Sequence, residues 1–446
     1  MRLAKAGTIG LVLALVPSVA LAGHGGSGGS GLSFINTPLL TKDGGSEPAI
    51  TIGKDGTMIA GALSWQLFQT NLWKGSFGST PTFAGTPDAN LEPGVGGGGD
   101  EDWDLASNGT LHGTTLIFFF NPQSKIRQLG VSAISCPNAD TSNNFANCTS
   151  EIIDTTQADR QWVTSLGSTV WISYHDSGHS ALIHVQRSTD DGKTWTRVGD
   201  PIVGQSGTTA DSTFNNIQGE LEADPTTGIV YDVYASGVTG LLKGRTFTPN
   251  HVFVSRSLDG GQTWSASLAF SEPPGSSFAN VFPALAVDPV NGDLYVTASD
   301  SHNVFVAKSS DHGLTWSAPQ TANSGAAATA IFPAIAARNG TVDLSYYGTP
   351  AASKDDPGAV WNVFLAQSTN GGLTFNQSQV TSSSNHTGVI CTNGTGCAPG
   401  TRNLLDLFED AIDPVSGKVA IIYTNDTLTL DGSGHPLPQV ELAQQK

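Results

Sequence analysis

"RSTDDGKTW", residues 187–195, is a polar turn ending in tryptophan. It returns as "RSLDGGQTW" at 256–264, "KSSDHGLTW" at 308–316 and "QSTNGGLTF" at 367–375. One copy would be an ordinary loop. Four copies point to a stacked structural unit, because self-similarity along a chain marks repeat architectures. Reading back from the third copy exposes the unit, "FPALAVDPVNGDLYVTASDSHNVFVAKSSDHGLTW" at 282–316. It reads as a buried strand, a D-P-x-x-G turn, a second strand, a loop, a third strand and the quoted turn. The alternating apolar runs and the Gly, Asp and Pro punctuation are strand and hairpin signals.

Opening strands of this kind begin near Glu47, Glu101, Asp159, Glu220, Phe282, Phe332 and Glu409, at intervals of 50 to 77 residues. Each interval has room for a four-stranded sheet and its loops, and radial repetition of such sheets is a β-propeller. The expected fold is therefore all-β with seven blades. Six blades is the alternative, because the second unit is the least regular. A worn turn at 72–83, "LWKGSFGSTPTF", supports the first unit as a blade, and the tail "PQVELAQQK" matches the third strands "VFVAKSS" and "VFLAQST".

Composition agrees. Of 446 residues 53 are Gly and 23 Pro, and 13% are charged, as suits short strands joined by many turns. The net charge of −18 argues against nucleic acid, which requires a Lys and Arg surplus to neutralise phosphates. At the N-terminus, Arg2 and Lys5 precede an apolar run that ends at Ala20-Leu21-Ala22. This pattern reads as a secretory signal peptide over 1–22, too short in its apolar stretch for a membrane span. A Gly/Ser-rich linker and lead-in follows over 23–46, then a single propeller domain over 47–446. The expectation is a secreted monomer. Cys136 with Cys148, and Cys391 with Cys397, are spaced for two loop-stapling disulfides in an exported chain. Zinc is disfavoured by the lack of a C-x-x-C or a nearby His pair.

The pattern S-x-D-x-G-x-T-W at Ser188–Trp195, Ser257–Trp264 and Ser309–Trp316, with the variant Ser368–Phe375, resembles the Asp-box, or bacterial neuraminidase repeat, of the sialidase superfamily. The resemblance covers the chain from about Glu47 as architecture. It implies a propeller whose site lies at the end opposite the boxes, and a glycan as partner. The sialidase motifs themselves are not matched: no Arg-Ile-Pro occurs, and no arginine triad can be assigned.

The boxes are read as building elements. Asp190, Asp259 and Asp311 are placed to accept turn amides, and Trp195, Trp264 and Trp316 to bury a ring against a neighbouring blade. Asn370 and Phe375 fill the same places in the fourth copy, and an amide cannot transfer a proton. Chemistry is expected at the other end, where strand entries aim Glu47, Glu101, Asp159, Glu220 and Glu409 at the axis. Crowded carboxylates raise one another's pKa, which can furnish an acid and a base. Glu101, Asp176, Glu220 and Glu409 are the catalytic candidates. Arg160, Tyr174, His175, Tyr346 and Arg402 are the substrate-binding ones, Arg402 lying in a long insertion at 388–410. The readings carried forward are a propeller that binds and hydrolyses an extracellular glycan, a non-catalytic binding scaffold stabilised by Ca2+, and a polysaccharide lyase using Tyr174 or His175 beside Arg160.

Overall fold

A computed structural model describes residues 31–446 except 66–68, 89–94, 122–125, 146–147, 177–181, 203–215, 238–247 and 274. The expected signal peptide and most of the Gly/Ser linker lie outside the described residues. Seven four-stranded antiparallel blades surround a common axis. Their innermost strands are Ser46–Ile52, Asp102–Leu105, Ala158–Leu166, Asn216–Ala223, Ala284–Val287, Thr329–Arg338 and Glu409–Ile412, numbered here as blades 1 to 7. Every opening strand expected from sequence is present, and the second unit is a blade.

The last blade closes the ring. Its third strand, Pro436–Gln445, is the tail that resembled other third strands. Its fourth, Phe34–Leu39, comes from the lead-in, in register from Phe34 against Gln445 to Leu39 against Val440. Sequence patterning gave no sign of this strand, whose six residues FINTPL carry no repeat signature. Closure leaves no blade with an unpaired fourth position, which is how a propeller protects its sheet edges.

The four repeated turns share one hydrogen-bond plan. In blade 3 the Ser188 hydroxyl donates to Asp190 (2.8 Å) and accepts from the Gly192 amide (2.9 Å). Asp190 accepts from the Thr194 amide and hydroxyl (2.9 and 2.7 Å). The same set recurs around Asp259 and Asp311. Asn370 keeps it with its carbonyl facing the Thr374 amide (3.1 Å) and its amide donating to the Thr374 hydroxyl (2.9 Å). Gly192, Gly261, Gly313 and Gly372 sit at φ 78°, 93°, 77° and 80°, a region that disfavours a side chain.

Each box ring then packs on the preceding blade. Trp195 lies with Val131 and Ala133 of blade 2, and Trp264 with Trp171 and Val185 of blade 3. Trp316 joins Tyr231 and Val233 of blade 4, and its indole donates to the Ser267 hydroxyl at 2.8 Å. Phe375 replaces it against Tyr295 and Val306 of blade 5. Arg187 and Arg256, just before their boxes, donate to Gly260 and His312 carbonyls in the next blade's turn. Both expected disulfides, Cys136–Cys148 and Cys391–Cys397, are formed.

Candidate functional site

The innermost strands present an open edge to the axis, so their outward amides need acceptors. Side chains of the preceding blade provide them. Thr51 accepts from Leu105 N–H (3.1 Å), Asp102 from Val163 (2.7 Å), Thr164 from Ala223 (3.1 Å), Glu220 from Leu285 (2.8 Å) and Glu409 from Ile50 (2.7 Å). Such bonds link blades 1 to 5 in turn and join blade 7 to blade 1. Two catalytic candidates, Glu220 and Glu409, thus hold the ring together. Burial is the chief cause that raises both well above the ordinary carboxylate range.

These residues wall an axial channel of about 410 Å³. Ser107, Gly167, Pro225, Pro289 and Arg338 line it beyond the strand ends, so it opens on the side of the repeated turns. Towards the strand entries, Trp162, Phe282, Phe332, Leu407 and Phe408 surround a space of only about 20 Å³. Leu407 belongs to the 388–410 insertion and packs with Trp162 and Leu221 across the axis. Sequence reasoning placed an open acidic mouth at this end. Instead a largely apolar plug narrows this end, with Glu220 and Glu409 lining both the channel and the small space within the plug, because the insertion supplies Leu404, Leu407 and Phe408 to the core.

Outside the plug lies a second polar group. Strand entries are bulged there: register shifts fall at Glu47, Arg160, Gly219-Glu220 and Phe332. Glu47, Asp100, Arg160 and Phe332 have φ of 50°, 40°, 57° and 56°. Bulges re-aim side chains and recur beside functional sites, and left-handed non-glycine residues persist only where the surroundings enforce them. Glu47 accepts from the Asp100 amide at 3.1 Å. Burial, then the Asp406 charge, pushes Glu47 up to about 7. Asp100 is raised well above its usual value by burial, then by Glu47 and Asp159. Arg402 from the insertion forms a two-point pair with Asp406 in this group.

Arg160 differs from Arg402. Its guanidinium lies 5.3 Å from the Phe282 ring centroid, and Trp162 meets the same ring edge-on at 5.1 Å. Among the described residues it has no ion pair. Asp159 stands opposite His175 in the sheet. Burial, then the Arg160 charge, lowers His175 to about 4, so its imidazole is neutral near pH 7. Asp176 follows, 3.5 Å from His184, which also reaches Asp200 at 3.2 Å.

The sequence-derived candidates therefore divide. Arg160, His175, Asp176 and Arg402 belong to the entry face. Glu220 and Glu409 face the channel. Glu101 is fully buried beside Gly61 and Trp103, does not line the channel, and is raised chiefly by burial. Tyr174 is fully buried and its hydroxyl donates to Asp154 at 2.8 Å. Tyr346 is likewise buried, donates to Gln377 at 2.8 Å and stacks with Phe364. Neither tyrosine stands with Arg160. A one-residue shift explains the contrast between Glu101 and Asp102, since alternate residues of a strand face opposite ways. The 388–410 insertion was expected to bring Asp406 towards the mouth together with Arg402, whereas the Phe282 platform carried no signal of role in the sequence, because it acts through contacts between side chains distant in the chain.

Among the described residues no group of three or more His, Cys, Asp or Glu side chains is arranged to hold a metal ion. No described helix is long and apolar enough to cross a membrane. No protein family matches the chain, and no curated protein matches it. Solved structures do. An ulvan lyase, described as a polysaccharide lyase bound to -[GlcA(1-4)Rha3S]-, is 10% identical with a TM-score of 0.52, over 91% of this chain and 95% of that one. The alpha-L-arabinofuranosidase of Fusarium graminearum with arabinobiose is 12% identical with a TM-score of 0.50, over 75% and 98%. A Hadza microbial sialidase is 12% identical with a TM-score of 0.46, over 87% and 73%. At such identities the likeness is one of fold, and the fold is a seven-bladed propeller.

Proposed function

We propose that this is an extracellular glycan-recognising propeller, and that its site is the entry face around Arg160. One observation carries the reading: a cation held over an aromatic ring, with no ion-pair partner among the described residues, in a face otherwise rich in acids. Desolvated aromatic platforms with convergent polar groups suit sugars, which have both apolar faces and hydroxyls. The two solved structures of highest fold likeness named above act on glycans, which agrees with this reading. Residues 1–22 then direct export, and N-terminal sequencing of the secreted chain is expected to begin at Gly23.

A glycan-array screen of the mature chain, run with and without EDTA, tests the site. Binding is expected, insensitive to EDTA, and weakened at least about tenfold by Arg160→Ala, as for loss of one charge-assisted contact. Loss of binding in EDTA would favour the Ca2+-stabilised scaffold. Hydrolysis of the bound glycan is a second reading, favoured by Glu47: a carboxyl at about 7, hydrogen-bonded by the Asp100 amide, keeps part of its proton at neutral pH and can serve as an acid. On that reading Glu47→Gln ends release of reducing sugar and preserves binding.

A further inference from the structure

Two groups at the entry face lack a counterpart among the described residues. One is the Arg160 guanidinium, over Phe282. The other is Nε2 of His175, buried without a hydrogen bond on a residue only 9% exposed. Their positions are linked, since Asp159 pairs with His175 and the bulge falls on Arg160 itself. Neighbouring basic groups are engaged: Arg402 with Asp406, His184 with Asp176 and Asp200, His386 with Asp426 at 2.9 Å. Buried polar atoms are nearly always satisfied, so the unpartnered His175 Nε2 beside the half-buried Arg160 charge points to a ligand carrying both an anion and an acidic hydrogen.

On the reading that this face is the glycan site, we infer that its substrates are uronate-containing polysaccharides, cleaved by β-elimination with Arg160 holding the uronate carboxylate and His175 taking the C5 proton. Pairing the carboxylate with a guanidinium offsets the negative charge that builds as the C5–H bond breaks. His175 Nε2 accepts the proton. The electron pair left on C5 forms the C4=C5 double bond while the C4–O bond breaks. The leaving oxygen takes a proton from solvent water, and the His175 imidazolium gives its proton back to solvent, which restores the starting state. No oxidant, reductant or added water is consumed. A neutral imidazole is required at the start, and burial with the adjacent Arg160 charge keeps His175 in that form near pH 7.

The test incubates the full mature chain with polygalacturonate, with a glucuronate-rich polymer, and with the carboxyl-reduced form of each. Ultraviolet absorbance of unsaturated product, reducing ends and binding are followed together. Absorbance is expected to rise only with a carboxylated polymer. His175→Ala and His175→Gln are expected to lower the rate about 100-fold or more while binding stays within about tenfold, as for loss of a general base. Arg160→Ala is expected to lose binding as well, with partial recovery in Arg160→Lys. A melting curve for each variant separates loss of chemistry from loss of fold. Reducing ends without unsaturated product, or binding of neutral glycans alone, would overturn elimination and leave the glycan reading standing. Absence of binding to every glycan would overturn both.

Discussion

Asp259 shows how much one exposed residue can organise. Its carboxylate gathers the Ser257 hydroxyl, the Gln262 and Thr263 amides and the Thr263 hydroxyl. Those bonds, led by the Thr263 hydroxyl, hold its pKa down to about 2. Asn370 does the equivalent work in blade 6 without a charge, so geometry matters more than ionisation. Asp259→Asn is therefore expected to leave the melting temperature nearly unchanged and Asp259→Ala to lower it. Trp264→Ala, which empties a half-buried ring site between blades 3 and 4, is expected to cost more, about 2–4 kcal/mol. Calorimetry of the three variants ranks them; equal losses for Asn and Ala would mean that the charge, not the turn, is what stabilises. Residues of this kind were legible in the sequence because all their partners lie within seven positions. Glu220 was legible only as an acid near the axis. Its partner, the Leu285 amide, is 65 residues away and depends on the stagger between two sheets.

At the scale of elements, regular strands were readable and closures were not. The seven opening strands announce themselves by repetition, whereas Phe34–Leu39 has no copy elsewhere and is defined only by the edge it covers. Removing residues through Leu39 is expected to expose the edge of Pro436–Gln445, lower the melting temperature sharply and promote self-association. Urea unfolding with light scattering would show both; an unchanged midpoint would mean that the ring does not rely on this strand. The 388–410 insertion presents the same difficulty. Its length and cysteines marked it as ordered, but only the packed structure shows Leu407 against Trp162 beneath a polar cluster. Opening the Cys391–Cys397 loop by Cys391→Ser with Cys397→Ser removes a short-loop constraint worth about 2 kcal/mol in chain entropy. Because Arg402 and Asp406 ride on this element, binding at the entry face is expected to weaken even where the blades stay folded.

For the whole molecule, two populations of carboxylates work in opposite directions of pH. Glu47 and Asp102 are pushed up to about 7 and Asp104 to about 6, each mainly by burial. Such groups bind more protons in the folded chain than in the unfolded one above about pH 4, so the stability they contribute is complete below their unfolded values and is lost as pH rises through 6 to 7. The repeated turns behave conversely. Asp190, Asp259 and Asp311 are held down to about 2 by hydrogen bonds, led by the threonine hydroxyls, and their contribution is present above about pH 4 and fades as pH falls towards 2. Folding stability is therefore expected to peak near pH 4 and to fall from there towards neutral pH. The alkaline side carries the larger slope, because Glu220, Glu222 and Glu409, raised well above the usual range chiefly by burial, share one channel. Scanning calorimetry at fixed ionic strength from pH 3 to pH 8 is expected to show a melting temperature several degrees lower at pH 8 than at pH 5, about 2–4 °C for each kcal/mol lost. Glu222→Gln removes one channel charge without capping a neighbouring strand in the way Glu220 does, and it is expected to flatten that alkaline slope while leaving the acid limb intact. A melting temperature that holds or rises from pH 5 to pH 8 would show that the channel acids ionise freely in the folded ring.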